Sequence, residues 1–452
     1  MKTLKRKMLG AFWLAALSIV TAFNPANASG GGKVTLRAEV ERGVLPADTR
    51  QNALIKITVN APDMPVEKGV RSHRMNLSVV LDKSGSMSGQ KIEKAKEAAI
   101  TALRMLRPDD VFSLIVYDTS ARIVVAAAPV NNYSSIEEMI RSVRSNGSTA
   151  LFAGVSLGAN EIRKNLREGF VNRIILLSDG QANIGPSSPD QLGRLGASLM
   201  KEGISVSTVG VGSDYNEDLM TSLSQNSDGN FYFVENSNDL PMIFAKELGS
   251  ALKVAAQGLE IRIICPDGVK PQGILGHDCK INGNSIDLSF NQVYGGHAKS
   301  LILQVEVPPE SPEKILKLAT VEMSYKDASG SRYSISENVE ASFSRDREKV
   351  RKSSNAAVLD ESAIQQNAVL KKQAVEEADK GSFTKAKELL QKGAELLYSR
   401  SKLTGNKAME DAAEKSELQA KKMDSNKPID NEERKKMKGE TYQILNSQPY
   451  KQ

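Results

Sequence analysis

The sequence predicts an α/β chain: a doubly wound, mostly parallel sheet, inserted in or followed by a β-sandwich, with an α-helical region at the C-terminus. Three observations predict it. Over residues 71–254, apolar runs of strand length alternate with amphipathic segments of helical period, the pattern of a parallel sheet covered on both faces. Over 255–345 the helical period disappears, and short strand-like runs are separated by turn residues. Over 346–452 Lys, Glu, Ala, Gln and Ser dominate and no strand pattern remains.

Residues 1–28 read as a secretory signal peptide. Lys5, Arg6 and Lys7 form a basic start, 8–23 is apolar, and Ala26-Asn27-Ala28 is a small-residue cleavage site. An uncleaved anchor is the alternative, but the apolar stretch is short for a bilayer. The expected location is periplasmic or extracellular, with no membrane span after cleavage. Of the 60 Lys and Arg residues, Lys2, Lys5, Arg6 and Lys7 belong to this segment, which leaves 56 against 54 Asp and Glu. The balance falls from +6 to +2, and nothing in it argues for nucleic acid or an anionic membrane as partner.

Residues 29–70 hold two alternating runs, 34–40 and 53–59, with a turn at Leu45-Pro46-Ala47-Asp48 between them. They are expected to join the sandwich. In the α/β part, strands are expected at 77–81, 111–117, 121–126, 173–178, 205–211 and 230–234. Helices are expected at 90–106, 133–143, 151–166, 190–201, 217–225 and 239–254. Pro108 stops the first helix, and Ser134-Ser135 opens the second. Sandwich strands are expected at 259–264, 285–290, 299–307, 317–323 and 339–343. Helices follow at 356–378, 383–397 and 407–423. The pair spanning 374–397 resembles one tetratricopeptide-like hairpin turning at Asp379-Lys380-Gly381, too few units for a solenoid. Residues 439–452 are expected to fray.

Cys265 and Cys279 are the two cysteines. In an exported chain an even count favours a disulfide, and so short a loop would contribute about 3 kcal/mol. Two buried thiols are the alternative. A metal site from Cys265, His277 and Cys279 is weaker, since zinc's usual C-x-x-C pairing is absent.

The chemistry concentrates at five positions. Asp82, Ser84 and Ser86 stand in Asp82-Lys83-Ser84-Gly85-Ser86-Met87, directly after the apolar run 77–81. Thr149 lies in Asn146-Gly147-Ser148-Thr149-Ala150-Leu151. Asp179 ends a second apolar run, 174–178. Oxygen ligands at the carboxyl ends of buried parallel strands suit a hard divalent cation such as Mg²⁺ or Mn²⁺. The set resembles the metal-ion-dependent adhesion site (MIDAS) of von Willebrand factor type A (VWA) domains, and all five positions of that pattern are filled. The wider layout resembles secreted proteins of the inter-α-trypsin-inhibitor type and bacterial surface proteins. The resemblance implies that Ser84, Ser86 and Thr149 give hydroxyls directly to the ion. It implies that Asp82 and Asp179 hold the ion's waters, and that a protein ligand completes the shell with an Asp or Glu. Mg²⁺ dehydrates reluctantly, which agrees with neutral hydroxyls inside and carboxylates outside.

The chain is therefore read as an exported protein-binding module and not an enzyme. No His stands in a nucleophile motif with Ser or Cys, and Gly210-Val211-Gly212 lacks the further glycine and Lys of a phosphate loop. Two rivals remain. One is an envelope assembly or chaperone-like scaffold that binds through its helical C-terminal region. The other is a metal-dependent hydrolase, disfavoured because no general base accompanies the motif.

Overall fold

The computed structural model describes residues 33–62, 73–327, 329–423 and 429–448; the expected signal peptide lies outside them. The chain starts in a sandwich, leaves it for an α/β layer, and returns. β1 (Thr35–Val40), β2 (Val44–Pro46) and β3 (Gln51–Asn60) come first. β3 alternates buried and half-open residues, so Ala53, Ile55, Ile57 and Val59 all enter one core.

The α/β layer comprises β4 (Arg74–Asp82), α1 (Gln90–Met105), β5 (Val111–Tyr117), β6 (Ala121–Pro129), α2 (Tyr133–Arg141), α3 (Leu151–Arg163), β7 (Phe170–Ser178), α4 (Pro189–Lys201), β8 (Ile204–Val211), α5 (Glu217–Asn226), β9 (Phe231–Val234) and α6 (Leu240–Ala251). Its sheet runs β6-β5-β4-β7-β8-β9, parallel except for β6. β4 is buried from Met75 to Asp82. Leu77, Val79 and Leu81 face a cluster shared with α1, α2 and α6, while Val80 faces one shared with α3, α4 and α5. Burial on both faces explains why this strand reads as a continuous apolar run.

The sandwich resumes with β10 (Val254–Ile264), β11 (Lys270–Ile274), β12 (Ile281–Asn282), β13 (Ser285–Tyr294), β14 (Ala298–Val307), β15 (Ile315–Lys326) and β16 (Arg332–Ser344). One sheet is β1-β3-β14-β11 and the other β12-β13-β10-β15-β16-β2. β3 pairs with β14 over its whole length, so the α/β layer is an insertion between strands of the sandwich. The helix expected to reach 254 ends at Ala251, because Val254 already pairs with Tyr294.

α7 (Arg347–Lys352), α8 (Ala356–Asp379), α9 (Phe383–Thr404), α10 (Lys407–Lys422) and α11 (Asn431–Leu445) complete the chain. α8 and α9 form the expected hairpin. The expected fraying after 439 is corrected: α11 runs through Leu445 with Tyr442 and Leu445 buried. Asp430 caps it, accepting from the backbone of Glu432 and Glu433. Non-local partners then hold it. The Tyr442 ring meets Phe231 edge-on at 5.8 Å and its hydroxyl donates to the Gly229 carbonyl. Lys435 donates to Glu217 at 2.6 Å, and Arg434 pairs with Glu217, Asp218 and Asp379. His277 Nε2 donates to the Leu445 carbonyl at 2.9 Å.

A buried polar joint fixes the α/β layer against the sandwich. Arg173 on β7 donates to Ser207, to Gln292 and Tyr294 of β13, and lies 3.2 Å from Glu247 of α6. Glu247 also accepts from Ser207, Asn230 and Tyr232. Arg173 and Glu247 are both fully buried, so each satisfies the other's charge where water does not.

The expected disulfide is also corrected: Cys265 and Cys279 are free thiols. Cys265 sits inside the sandwich core, where burial pushes its thiol up to about 11. A protonated thiol is a poor nucleophile for disulfide formation. His277 is engaged by α11, and among the described residues no group of three or more His, Cys, Asp or Glu is placed to hold a metal. The alternative Cys265–His277–Cys279 centre is thereby set aside.

Candidate metal centre

The strand order reverses at β4, with β5 on one side and β7 on the other. The carboxyl end of such a strand opens onto the crevice where ligands bind in sheets of this kind. Asp82 ends β4 there, and Asp179 follows directly after β7.

Asp82 is fully buried, and each of its oxygens is used. Oδ1 accepts from the Ser84 backbone at 2.8 Å, and Oδ2 accepts from the Ser178 hydroxyl at 2.7 Å. Burial pushes its carboxyl up to about 6 despite these bonds, and nearby Asp179 adds to the rise. A carboxylate so poorly solvated gains strongly from a neighbouring cation.

The loop after Asp82 is a tight turn, Gly85–Met87, anchored by the wholly buried Met87. Gly89, with φ of 77°, then turns the chain into α1. The loop carrying Thr149 is pinned to this turn by backbone bonds. The Gly85 amide donates to Gly147 and the Asn146 amide to Lys83, while the Ala150 amide donates to Asp118 and ties the same loop to the turn after β5. Lys83 is buried and pairs with Asp118 in the turn between β5 and β6, so its ammonium is engaged there rather than among the serine hydroxyls. Thr149 donates its amide to the Asn183 side chain at 2.9 Å, and Asn183 donates its amide back to the Thr149 carbonyl at 3.2 Å. That reciprocal bridge ties the Thr149 loop to the segment after Asp179.

The five predicted residues come together. Ser84 Oγ and Ser86 Oγ are 3.0 Å apart, and Ser86 donates to Asp179 Oδ1 at 2.7 Å. Gly180 marks the centre. A Cβ there would lie 3.3 Å from both Ser86 Oγ and Thr149 Oγ1, and 4.0 Å from Ser84 Oγ. Three hydroxyls thus converge on a cradle that only a glycine leaves open, with two buried carboxylates behind. The residues fit a small hard cation on a further count. Neighbouring ligands of an octahedral ion at about 2.1 Å stand about 3.0 Å apart, the spacing of the two serine oxygens. Ser86 is exposed and Ser84 and Thr149 are buried, so the cradle opens to solvent on one side.

Sequence reasoning missed Lys91. Its ammonium lies 2.5 Å from Asp179 Oδ2, the carboxylate whose other oxygen accepts from Ser86. In sequence it reads as a solvent-facing residue in the first turn of an amphipathic helix. Asn183 was missed for a similar reason, since its role depends on two loops meeting.

Residues 76–246 match the von Willebrand factor type A domain, and the chain carries such a domain. Among curated relatives, the uncharacterized protein sll0103 of Synechocystis sp. is 34% identical over 165 residues, 36% of this chain and 39% of that protein. The uncharacterized protein YfbK of Escherichia coli is 27% identical over 215 residues, 47% and 37% of the two chains. Human inter-alpha-trypsin inhibitor heavy chain H4 is 31% identical over 166 residues, 35% and 17%. The matched segments therefore span less than two fifths of these relatives. In three dimensions the chain is similar to a von Willebrand factor type A protein from Catenulispora acidiphila, with TM-score 0.67, 18% identity and coverage of 85% and 91%. It is also similar to the ArnB paralog VWA2 from Sulfolobus acidocaldarius, with TM-score 0.62, 16% identity and coverage of 92% and 98%. At these identities the likeness concerns the fold, and it extends beyond the α/β layer to most of the chain.

Proposed function

We propose that this protein is a non-catalytic binding module that captures a protein ligand through a divalent cation, Mg²⁺ or Mn²⁺. Ser84, Ser86 and Thr149 would hold the ion through their hydroxyls, and Asp82 and Asp179 would hold its waters. The ligand would supply an Asp or Glu carboxylate to the remaining position. The observation that carries this reading is the convergence of three hydroxyls over Gly180, in front of two buried carboxylates. Neutral direct ligands leave the ion's positive charge only partly compensated, and an external carboxylate is what such an ion attracts. The basic start, apolar stretch and Ala26-Asn27-Ala28 site support export to the periplasm or beyond. Among the described residues no helix is long and apolar enough to cross a membrane.

The test is calorimetric titration of the chain from Ser29 onward with Mg²⁺ and Mn²⁺, beside Asp82→Asn and Thr149→Ala. Saturable binding at one site, lost in Asp82→Asn and weakened in Thr149→Ala, is the expected result. Equal binding in all three proteins would refute the assignment of these residues.

A further inference from the structure

We infer that Lys91 is a built-in counter-charge that lowers the site's hold on its cation and raises its preference for an acidic ligand. The inference rests on the metal-site reading above and adds the device that sets its charge. Asp179 is fully buried and uses its two oxygens differently: Oδ1 accepts from the ligand hydroxyl of Ser86 at 2.7 Å, and Oδ2 accepts from Lys91 Nζ at 2.5 Å. Lys91 stands in the first turn of α1, and its side chain is 31% exposed, so the ammonium reaches the site from the solvent edge. The loop after β8 closes its other side; a Cβ on Gly212 would lie 3.9 Å from Lys91 Nζ. Lys83 does not share this role, because its ammonium is taken by Asp118.

The charge balance follows. Asp82 and Asp179 carry two negative charges when ionised, and Lys91 cancels one. A divalent cation then leaves the site with a net positive charge of one, where the two carboxylates alone would neutralise it. Like charge near the ion weakens its binding, and unbalanced positive charge strengthens the pull on an incoming carboxylate. Before an ion arrives, Lys91 also spares Asp179 an unpaired burial.

The experiment is Mn²⁺ titration of the full chain and of Lys91→Met and Lys91→Arg, by calorimetry and by water-proton relaxation, with acetate as the carboxylate probe. Lys91→Met should bind Mn²⁺ roughly tenfold tighter, and its metal-free form should melt lower with a larger rise on adding Mn²⁺. Acetate should perturb the Mn²⁺ relaxation signal less in Lys91→Met than in the parent. Lys91→Arg, which keeps the charge, should give back most of both differences. If the parent binds Mn²⁺ and Lys91→Met binds it equally or more weakly, this inference is overturned while the metal site stands. If the parent binds no Mn²⁺, the metal-site reading fails and this inference falls with it.

Discussion

Replacing Gly180 with Ala tests the cradle with the smallest possible change. The added methyl would lie 3.3 Å from Ser86 Oγ and from Thr149 Oγ1, and 4.0 Å from Ser84 Oγ. The first two contacts are a few tenths of an ångström too close for comfort, so those hydroxyls must yield or rotate. An ion needing oxygens about 2.1 Å away tolerates little such displacement. Disturbing the support of metal ligands typically costs 10–100-fold in affinity, or about 1.4–2.7 kcal/mol. The fold should be nearly untouched. Gly180 has no left-handed backbone to strain, and every close contact is a side-chain oxygen. The expectation is a metal-free melting temperature within a few degrees of the parent and Mn²⁺ affinity reduced at least tenfold by calorimetry. Parental Mn²⁺ affinity in Gly180→Ala would refute the reasoning, because the ion would then sit elsewhere.

Three further predictions concern the frame around the site. Arg173→Met should destabilise the protein by about 3–5 kcal/mol, since it leaves Glu247 buried without its cation. Adding Glu247→Gln should recover part of that loss, and chemical denaturation of the double-mutant cycle measures the coupling. Lys435→Ala leaves the buried Glu217 carboxylate with Arg434 alone, and should loosen α11 by about 2–4 kcal/mol. Hydrogen exchange should report this in α11 and in the 213–217 loop before the rest of the chain. Burial lowers the His277 imidazole to about 4 from its usual 6.5. The folded state therefore resists a proton that the unfolded state accepts, so the contribution of His277 to stability should be constant above pH 6.5 and fall as the pH drops from there toward 4. The ring is partly open to solvent, which holds the loss to about 1–2 kcal/mol. Between pH 7 and pH 5 the melting temperature of the parent should fall relative to that of His277→Gln.

Much of the candidate site's geometry was legible because its information is local. Asp82, Ser84 and Ser86 are set by one strand end and one tight turn, and β4 and β7 announce themselves as apolar runs buried on both faces. Asp179 was placed by the apolar run of β7, since parallel topology carries successive strand ends to one edge, whereas Thr149, in the loop before α3, was singled out by the resemblance to the MIDAS pattern. What escaped depends on distant partners. Lys91 and Asp179 are remote in sequence, and an ammonium on an amphipathic helix has the same local signature whether it meets water or a buried carboxylate. α11 looks polar, and its docking comes from Lys435, Arg434 and Tyr442 meeting residues more than two hundred positions earlier. A short signal was present in Asp430 followed by Glu432 and Glu433, a cap with acidic residues in the first turn. The cysteine pairing was argued from count and compartment, and neither of those reports that Cys265 is packed among apolar side chains. β2 and β11 are short, and their strand character comes from the neighbours they join.

The most direct test of the metal site on which the account rests is a crystal of the chain from Ser29 onward soaked in Mn²⁺, with anomalous scattering recorded at the manganese edge. The account predicts one strong peak about 2.2 Å from the hydroxyls of Ser84, Ser86 and Thr149. It also predicts that Lys91 stays on the far oxygen of Asp179. A soak that gives no peak over Gly180, or places the ion on other residues, would contradict it.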